Sequence, residues 1–317
     1  MADMVFSGVT FSGGYSIQIP PPPPSSKAIF GAPGGPTNLV SSTGVVAADV
    51  TSVGTTRSVL AAAGYGTDKA IFGYGVDASA TVVLSMSNLV SNTGVVANDT
   101  TGVGTARKQL AAAGYGSDKA IFGYGTTQAL GSTISATNLV TNTGVVGNDV
   151  TGVGTGRFLL AAAGYGTDKA IFGYGFAGYD SFASYSLTNL VSNTGVVANN
   201  TAGVGTARYG LTATGYGGDK AIFGYGYIRS SATWVSMTNL VSNTGVVATD
   251  TAGVGTGRWL LAAAVYGVDT AMFGFGSNET TSFSTINLVS NTGVVATNTS
   301  TVATARSGLA AASYGYA

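Results

Sequence analysis

The chain has 317 residues, of which 49 are glycine, 10% are aromatic and only 8% are charged, and it contains neither cysteine nor histidine. Thirteen basic and thirteen acidic residues cancel, which excludes the positive footprint of a nucleic-acid binder. Without Cys there is no disulfide or thiol chemistry, and without Cys and His the usual nucleophiles, general bases and transition-metal ligands are missing. No apolar run approaches the roughly 20 residues a membrane-spanning helix needs, and the start, Met1 to Phe6, lacks the basic and apolar regions of an export signal.

Residues 1–19 read as an extended N-terminal arm whose apolar positions are Val5, Phe6, Val9, Phe11, Tyr15, Ile17 and Ile19. Residues 20–26 form a polyproline spacer, stiff because Pro20 to Pro24 fix their own backbone. An apolar arm held off by a stiff spacer predicts docking onto a larger body by strand addition.

From residue 27 to residue 317 the chain repeats itself. Asn-Leu-Val recurs at Asn38, Asn88, Asn138, Asn189, Asn239 and Asn287, with spacings of 50, 50, 51, 50 and 48. An arginine recurs with the same spacings at Arg57, Arg107, Arg157, Arg208, Arg258 and Arg306. Lys-Ala-Ile-Phe-Gly begins at Lys27, Lys69, Lys119, Lys169 and Lys220, and becomes Thr-Ala-Met-Phe-Gly at Thr270.

One unit holds four short apolar runs separated by turn residues. After Arg107 these are Leu110 to Tyr115, then Lys119 to Tyr124, then a run through Leu139 and Val140, and a fourth around Val145 and Val146. Asn142-Thr-Gly144 reads as the tight hairpin before the fourth run, and Thr151 to Gly156 as the crossover to the next unit. No run has a helical apolar period, and glycine is too frequent for helices. Four strands at this period predict an all-β fold, a six-bladed β-propeller of four-stranded blades. The Ala-rich run suits the crowded innermost position. The repeat enters on a second strand at Lys27 and leaves on an Ala-rich strand from Leu309, so the C-terminal strand is expected to join the N-terminal blade and close the ring.

The unit resembles a kelch repeat. The resemblance runs from Arg208, through Ala221-Ile-Phe-Gly-Tyr-Gly226, to Asn243-Thr-Gly245, and covers residues 27–317. Two positions depart from it: an aromatic splits the paired glycines, as in Gly224-Tyr225-Gly226, and valine replaces the Trp after the tight turn. RCC1-type repeats share the period but not the Arg and Gly placement. Resemblance to kelch propellers implies a binding protein; the few oxidases among them need metal-ligating His, Tyr and Cys, a set this chain does not have. The Gly-and-aromatic leader resembles the N-termini of bacteriophage tail and appendage proteins. That resemblance implies a virion protein, made in the host cytoplasm.

Most charged residues belong to the repeat. Asp68, Asp118, Asp168, Asp219 and Asp269 sit in the first hairpin turn, and Asp49, Asp99, Asp149 and Asp250 follow the fourth run. A single active site does not need six copies of an arginine, so these ladders read as structural. Asp180 and Glu279 are the acids left for glycoside cleavage, and they lie two blades apart. The loop Asn98-Asp99-Thr-Thr-Gly offers too few oxygens for a calcium cage, and Gly102-Val-Gly104 precedes no helix that would make it a phosphate loop. No cofactor, no metal and no enzymatic activity are expected.

The units differ chiefly between their second and third runs, at residues 76–87, 126–137, 176–188, 227–238 and 277–286. Similar frameworks with dissimilar inserts place function in the inserts. Phe176, Tyr179, Phe182 and Tyr185 in one insert, and Tyr227, Arg229 and Trp234 in the next, are the ligand-binding candidates. Aromatics beside an arginine dominate binding hot spots and stack on sugar faces. The alternative for the aromatics is packing between blades. The resulting expectation is a non-catalytic tail or fibre protein that binds other virion subunits through its arm and host surface glycan or a neighbouring subunit through its propeller. The alternative is a cellular kelch-like protein-interaction or lectin module.

Overall fold

The computed structural model describes residues 26–127, 132–178 and 182–315. The arm residues Val5 to Ile19, the prolines of the spacer, Tyr179 and Asp180 lie outside the described residues. Among the described residues the protein is all-β and propeller-like, with one short 3-10 turn at Arg229–Ser231 as its only helical element. No helix there is long and apolar enough to cross a membrane.

Each repeat gives one antiparallel sheet. Ala61–Tyr65 pairs with Lys69–Gly73, which pairs with Ser87–Val90. The next sheets repeat the order with Ala111–Tyr115, Lys119–Gly123 and Thr137–Val140, and then with Ala161–Tyr165, Lys169–Phe176 and Ser184–Val191. Thr212–Tyr216, Lys220–Gly224 and Thr238–Val241 follow, and then Ala262–Tyr266, Thr270–Gly274 and Ile286–Val289. The first and last segments share a sheet. Ala310–Tyr314 pairs with Lys27–Gly31, Lys27 opposite Tyr314 and Gly31 opposite Ala310, and Lys27–Gly31 pairs in turn with Pro36–Val40. The expected pairing of the C-terminal strand with the N-terminal three is therefore present.

The fourth run is not the strand the sequence predicts. In five of the sheets it is reduced to isolated bridges, such as Val90 with Val96 and Ser87 with Thr100; only Val50–Thr51 in the first sheet is a strand, two residues long. Between the two bridges, three steps along Ser87–Val90 face four steps along the outer run, so one residue bulges out and the ladder breaks. The cause is a side chain. Asn88 Nδ2 donates to the carbonyl of Ala97 at 2.9 Å and to Asp99 Oδ1 at 2.9 Å, holding the outer run to its own amide.

The core lies between sheets. Ala61, Ala63, Tyr65 and Ile71 pack against Leu110, Ala120, Phe122 and Val140 of the following sheet, and the same arrangement joins every neighbouring pair, including Ala262, Tyr266 and Met272 against Ala28, Phe30 and Val40. The close fit explains Phe-Gly in the repeat. A Cβ on Gly123 would stand 2.7 Å from Phe172 Cζ of the next sheet, so the ring seats on bare backbone. Inner strands are Ala- and Gly-rich for the same reason: a Cβ on Gly164 would come within 3.3 Å of the Gly114 carbonyl.

Two sets of backbone hydrogen bonds link neighbouring units, one near each end of the inner strands. At the start of the strands, Gln109 N donates to Val59 O, Leu159 to Gln109, Gly210 to Leu159, Leu260 to Gly210, Gly308 to Leu260 and Val59 to Gly308, all at 2.8–2.9 Å. At the other end the first hairpin turns are joined in the same way, Gly66 N to Asp118 O and Gly315 N to Asp68 O among them. The inserts and crossovers share the first face; both kinds of hairpin turn share the second. Ser26, the first described residue, bonds Gly267 in the turn set and so lies on the turn face, opposite the inserts.

Phe172 is fully buried, and Phe172→Ala removes a ring for which the facing glycine offers no replacement contact. Its unfolding free energy is expected to fall by about 3–5 kcal/mol, and Gly123→Ala, which pushes the same ring from the other side, by about 1–3 kcal/mol. Denaturant titration of both variants checks the pair.

Candidate functional site

The six repeated arginines occupy equivalent positions at the insert face. Arg107, Arg157, Arg208 and Arg258 have no exposed surface and Arg57 has almost none. Nη2 of each donates to the asparagine of Asn-Leu-Val in its own sheet: Arg157 to Asn189 at 2.8 Å, Arg208 to Asn239 at 2.7 Å, Arg258 to Asn287 at 2.7 Å. Arg57 reaches Asn88 and Arg306 reaches Asn38 in the same way.

Five of the six guanidiniums also lie over an aromatic ring of the preceding unit. Arg107 covers Tyr74 at 4.3 Å, Arg157 covers Tyr124, Arg208 covers Tyr174 and Arg258 covers Tyr225 at 4.4 Å, and Arg306 covers Phe275 at 4.5 Å. This accounts for the aromatic that splits the glycine pair. Tyr74 has φ +63°, a left-handed conformation that turns its ring out of the strand and under the next arginine, and Gly75 N then donates to the Arg107 carbonyl at 3.0 Å. The first unit has Ala32-Pro33 at this place. Arg57 consequently has neither ring nor amide, its Nε and Nη1 lack hydrogen-bond partners, and burial pulls its pKa down to about 10.

Carboxylates close the node in four units. Asp99 stands 3.5 Å from Arg57, Asp149 3.6 Å from Arg107, Asp250 3.8 Å from Arg208 and Asp49 3.2 Å from Arg306. The other two carry Asn200 and Asn298 in the same place, each accepting from the Asn-Leu-Val amide. Nε of Arg157, Arg208 and Arg258 donates to the carbonyls of Tyr174, Tyr225 and Phe275 at 2.7, 2.8 and 2.6 Å. Both Asp99 oxygens are engaged by Thr55 and Asn88, so this loop spends its carboxylate on the fold. Burial alone would raise these aspartates, but hydrogen bonds from threonine, asparagine and arginine outweigh it: Asp49 is held down to about 2, and Asp99, Asp149 and Asp250 are lowered as well.

The ligand candidates are on the same face. Phe176, Phe182, Tyr227, Arg229 and Trp234 come together across two units, and Arg229 lies 4.5 Å above the Phe182 ring and 5.7 Å from that of Phe176. Phe182 is 49% exposed and Arg229 is exposed, whereas Phe176 is buried and Tyr227, Trp234 and Tyr185 are half-buried. Tyr185 lies opposite Gly175 on the longer hairpin of its sheet.

Three further aromatics complete this cluster. Phe158, Tyr209 and Trp259 follow the repeated arginine and bridge to Phe176, Tyr227 and Ser277 respectively. Their rings make a continuous row: Phe176 to Tyr209 at 4.7 Å, Tyr209 to Tyr227 at 5.5 Å, Tyr227 to Trp234 at 5.3 Å and Tyr227 to Trp259 at 5.9 Å. The sequence signal was available, because the residue after the arginine reads Ser58, Lys108, Phe158, Tyr209, Trp259, Ser307, varying inside an otherwise constant frame. Half the fold therefore carries an aromatic ledge, and the other half carries small or charged residues there.

Among the described residues no three of Asp, Glu, His or Cys cluster as metal ligands, and Glu279 lies in the insert of the last unit. No protein-family model matches this chain, and no curated protein matches it.

Arg208→Met removes the donor to Asn239 Oδ1 and to the Tyr225 carbonyl and is expected to cost about 3–5 kcal/mol in denaturant titration. Asp149→Asn copies what two units already carry, so it is expected to cost less than about 1 kcal/mol at neutral pH. Carboxylates with folded pKa values below their unfolded ones bind fewer protons when folded, so their stabilisation is complete above about pH 4 and is lost as pH falls through the folded values. The thermal midpoint is expected to drop between about pH 4 and pH 2, and less steeply when Asp49, Asp99, Asp149 and Asp250 are all asparagine.

Proposed function

We propose that the chain is a closed six-bladed, kelch-like β-propeller serving as a non-catalytic virion appendage protein, with its insert face binding host surface glycan and its arm fixed to other virion subunits. The observation that carries this reading is the opposition of the two faces. The aromatic ledge and Arg229 lie on the insert face, while Ser26, the first described residue, lies on the turn face. A protein anchored through one face and presenting aromatic rings beside a cation on the other suits capture of a sugar-bearing surface. The pairing of the first and last strands and the inter-sheet cores at every neighbouring pair support closure. The virion assignment draws on the resemblance of residues 1–19 to phage appendage leaders.

Two measurements test it. Imaging and mass measurement of native material should find the protein as a repeated appendage on a larger particle, whereas a free monomer would favour a cellular interaction module. On an immobilised glycan panel, Phe182→Ala with Arg229→Ala should weaken binding at least about tenfold, the loss of about 1.4 kcal/mol, with an unchanged melting midpoint. Undiminished binding would remove the insert face from consideration.

A further inference from the structure

The turn face has a cavity of its own. A cup of about 310 Å³ opens on the axis between the inner strands, within the size range of small-molecule sites. Lys69, Lys119, Lys169 and Lys220 line it, one from each of four consecutive units. Asp68, Asp118, Asp168 and Asp219 orient them, with Oδ1 accepting from the ammonium at 2.8–3.1 Å and Oδ2 accepting from Asn92, Asn142, Asn193 and Asn243 at 2.9–3.1 Å. An ammonium has three donors, so each lysine keeps two after serving its aspartate.

The cup wall also contains side chains in a conformation that disfavours them. Thr67, Ser117 and Thr167 line it at φ +66°, +69° and +69°. Gly218 fills the corresponding place in the next unit at φ +78° with nothing near its missing side chain, so glycine is accepted there. A β-branched residue with positive φ is strained, and the fold does not require it. Thr67 and Thr167 donate their hydroxyls to the Gly66 and Gly166 carbonyls at 2.6 Å, which leaves the oxygens as acceptors at the cup wall. On the remaining side Thr270 replaces the lysine, and Val265, Val268 and Asp269 line the wall, Asp269 accepting from Asn291.

We propose that this axial cup binds a small anionic polyol, a sugar bearing a phosphate or a carboxylate. Each lysine has its charge answered by its own aspartate and offers its two remaining donors to the anion, beside Asp219 and Asp269 in the same wall, and the hydroxyl oxygens accept from the polyol. The site lies on the face opposite the aromatic ledge and does not depend on it.

Calorimetric titration of the full chain tests the proposal with glucose 6-phosphate and glucuronate as probes, and with glucose and inorganic phosphate as the two halves of the chemistry. Saturable binding of either charged sugar, at least about tenfold tighter than glucose or phosphate, is expected, and it should weaken at least about tenfold in Lys119→Gln with Lys169→Gln. The probe that binds tells phosphate from carboxylate. Thr167→Gly should raise the melting midpoint by relieving strain and yet weaken binding, an outcome no folding defect can imitate. Lys108→Gln, on the other face, and the Phe182 and Arg229 variants should leave the affinity unchanged. Equal binding of all four probes, binding of none, an affinity indifferent to both the lysine and the threonine changes, or an equal loss in Lys108→Gln would overturn it.

Discussion

The structure depends on burying a guanidinium at each junction between units. Removing such an ion from water costs several kcal/mol unless every donor is met and the charge is answered, and this chain meets most of the demand in pieces drawn from two sheets, leaving Nε of Arg57, Arg107 and Arg306 without a hydrogen-bond partner. The ring comes from the unit before, the asparagine from the unit itself, the carboxylate or its asparagine substitute from the outer run. The repeat's scattered constant residues are thus the parts of one interaction. Gly-Tyr-Gly exists to set the ring under the cation; Asn-Leu-Val exists to receive the cation and, through its amide, to bend the outer run. The same requirement explains why the outer run forfeits its ladder.

Period, sheet composition and the partnership of first and last strands were legible because each rests on a local signal: turn glycines, apolar runs and a missing strand at either end. The fourth strand was misread because its fate is decided by the Asn88 amide, nine residues from the carbonyl it takes and with no local trace in the run itself. The candidate site was half legible. Inserts drew attention to Phe176, Phe182, Tyr227, Arg229 and Trp234, which do converge. Phe158, Tyr209 and Trp259 escaped because each stands beside an invariant arginine and takes on the appearance of framework. Their adjacency arises from units about fifty residues apart lying side by side, which no single window displays. Phe176, a ligand candidate with packing between blades as its alternative, is buried, because its strand runs on past the glycine pair to meet Phe158.

Symmetry and its violations divide the work of the molecule. The constant residues make every junction alike, and nothing distinctive can be recognised by such a frame. The units disagree chiefly at two poles: the row of aromatics on one face, and on the other the lysine arc interrupted at Thr270. The first unit differs again, with Ala32-Pro33 where the others keep a ring, and Arg57 is the least satisfied of the six cations as a result.

Near-identity of the strands has a consequence for assembly. Ala310–Tyr314 differs from Ala61–Tyr65, Ala111–Tyr115 and Ala161–Tyr165 at a single position, Ser313 in place of glycine. Any of these strands fits beside any Lys-Ala-Ile-Phe-Gly, so affinity between strands holds almost no information about their order. Order is written instead in tether length and in a few idiosyncratic contacts, of which Ser313 Oγ to Val265 O at 2.8 Å is one. The last strand pairs with a mate at the far end of the chain, while the mates of its siblings follow them directly in sequence. What marks the right seat for the final segment is that every other Lys-Ala-Ile-Phe-Gly strand has its inner partner just before it in sequence, and Lys27–Gly31 alone among them does not.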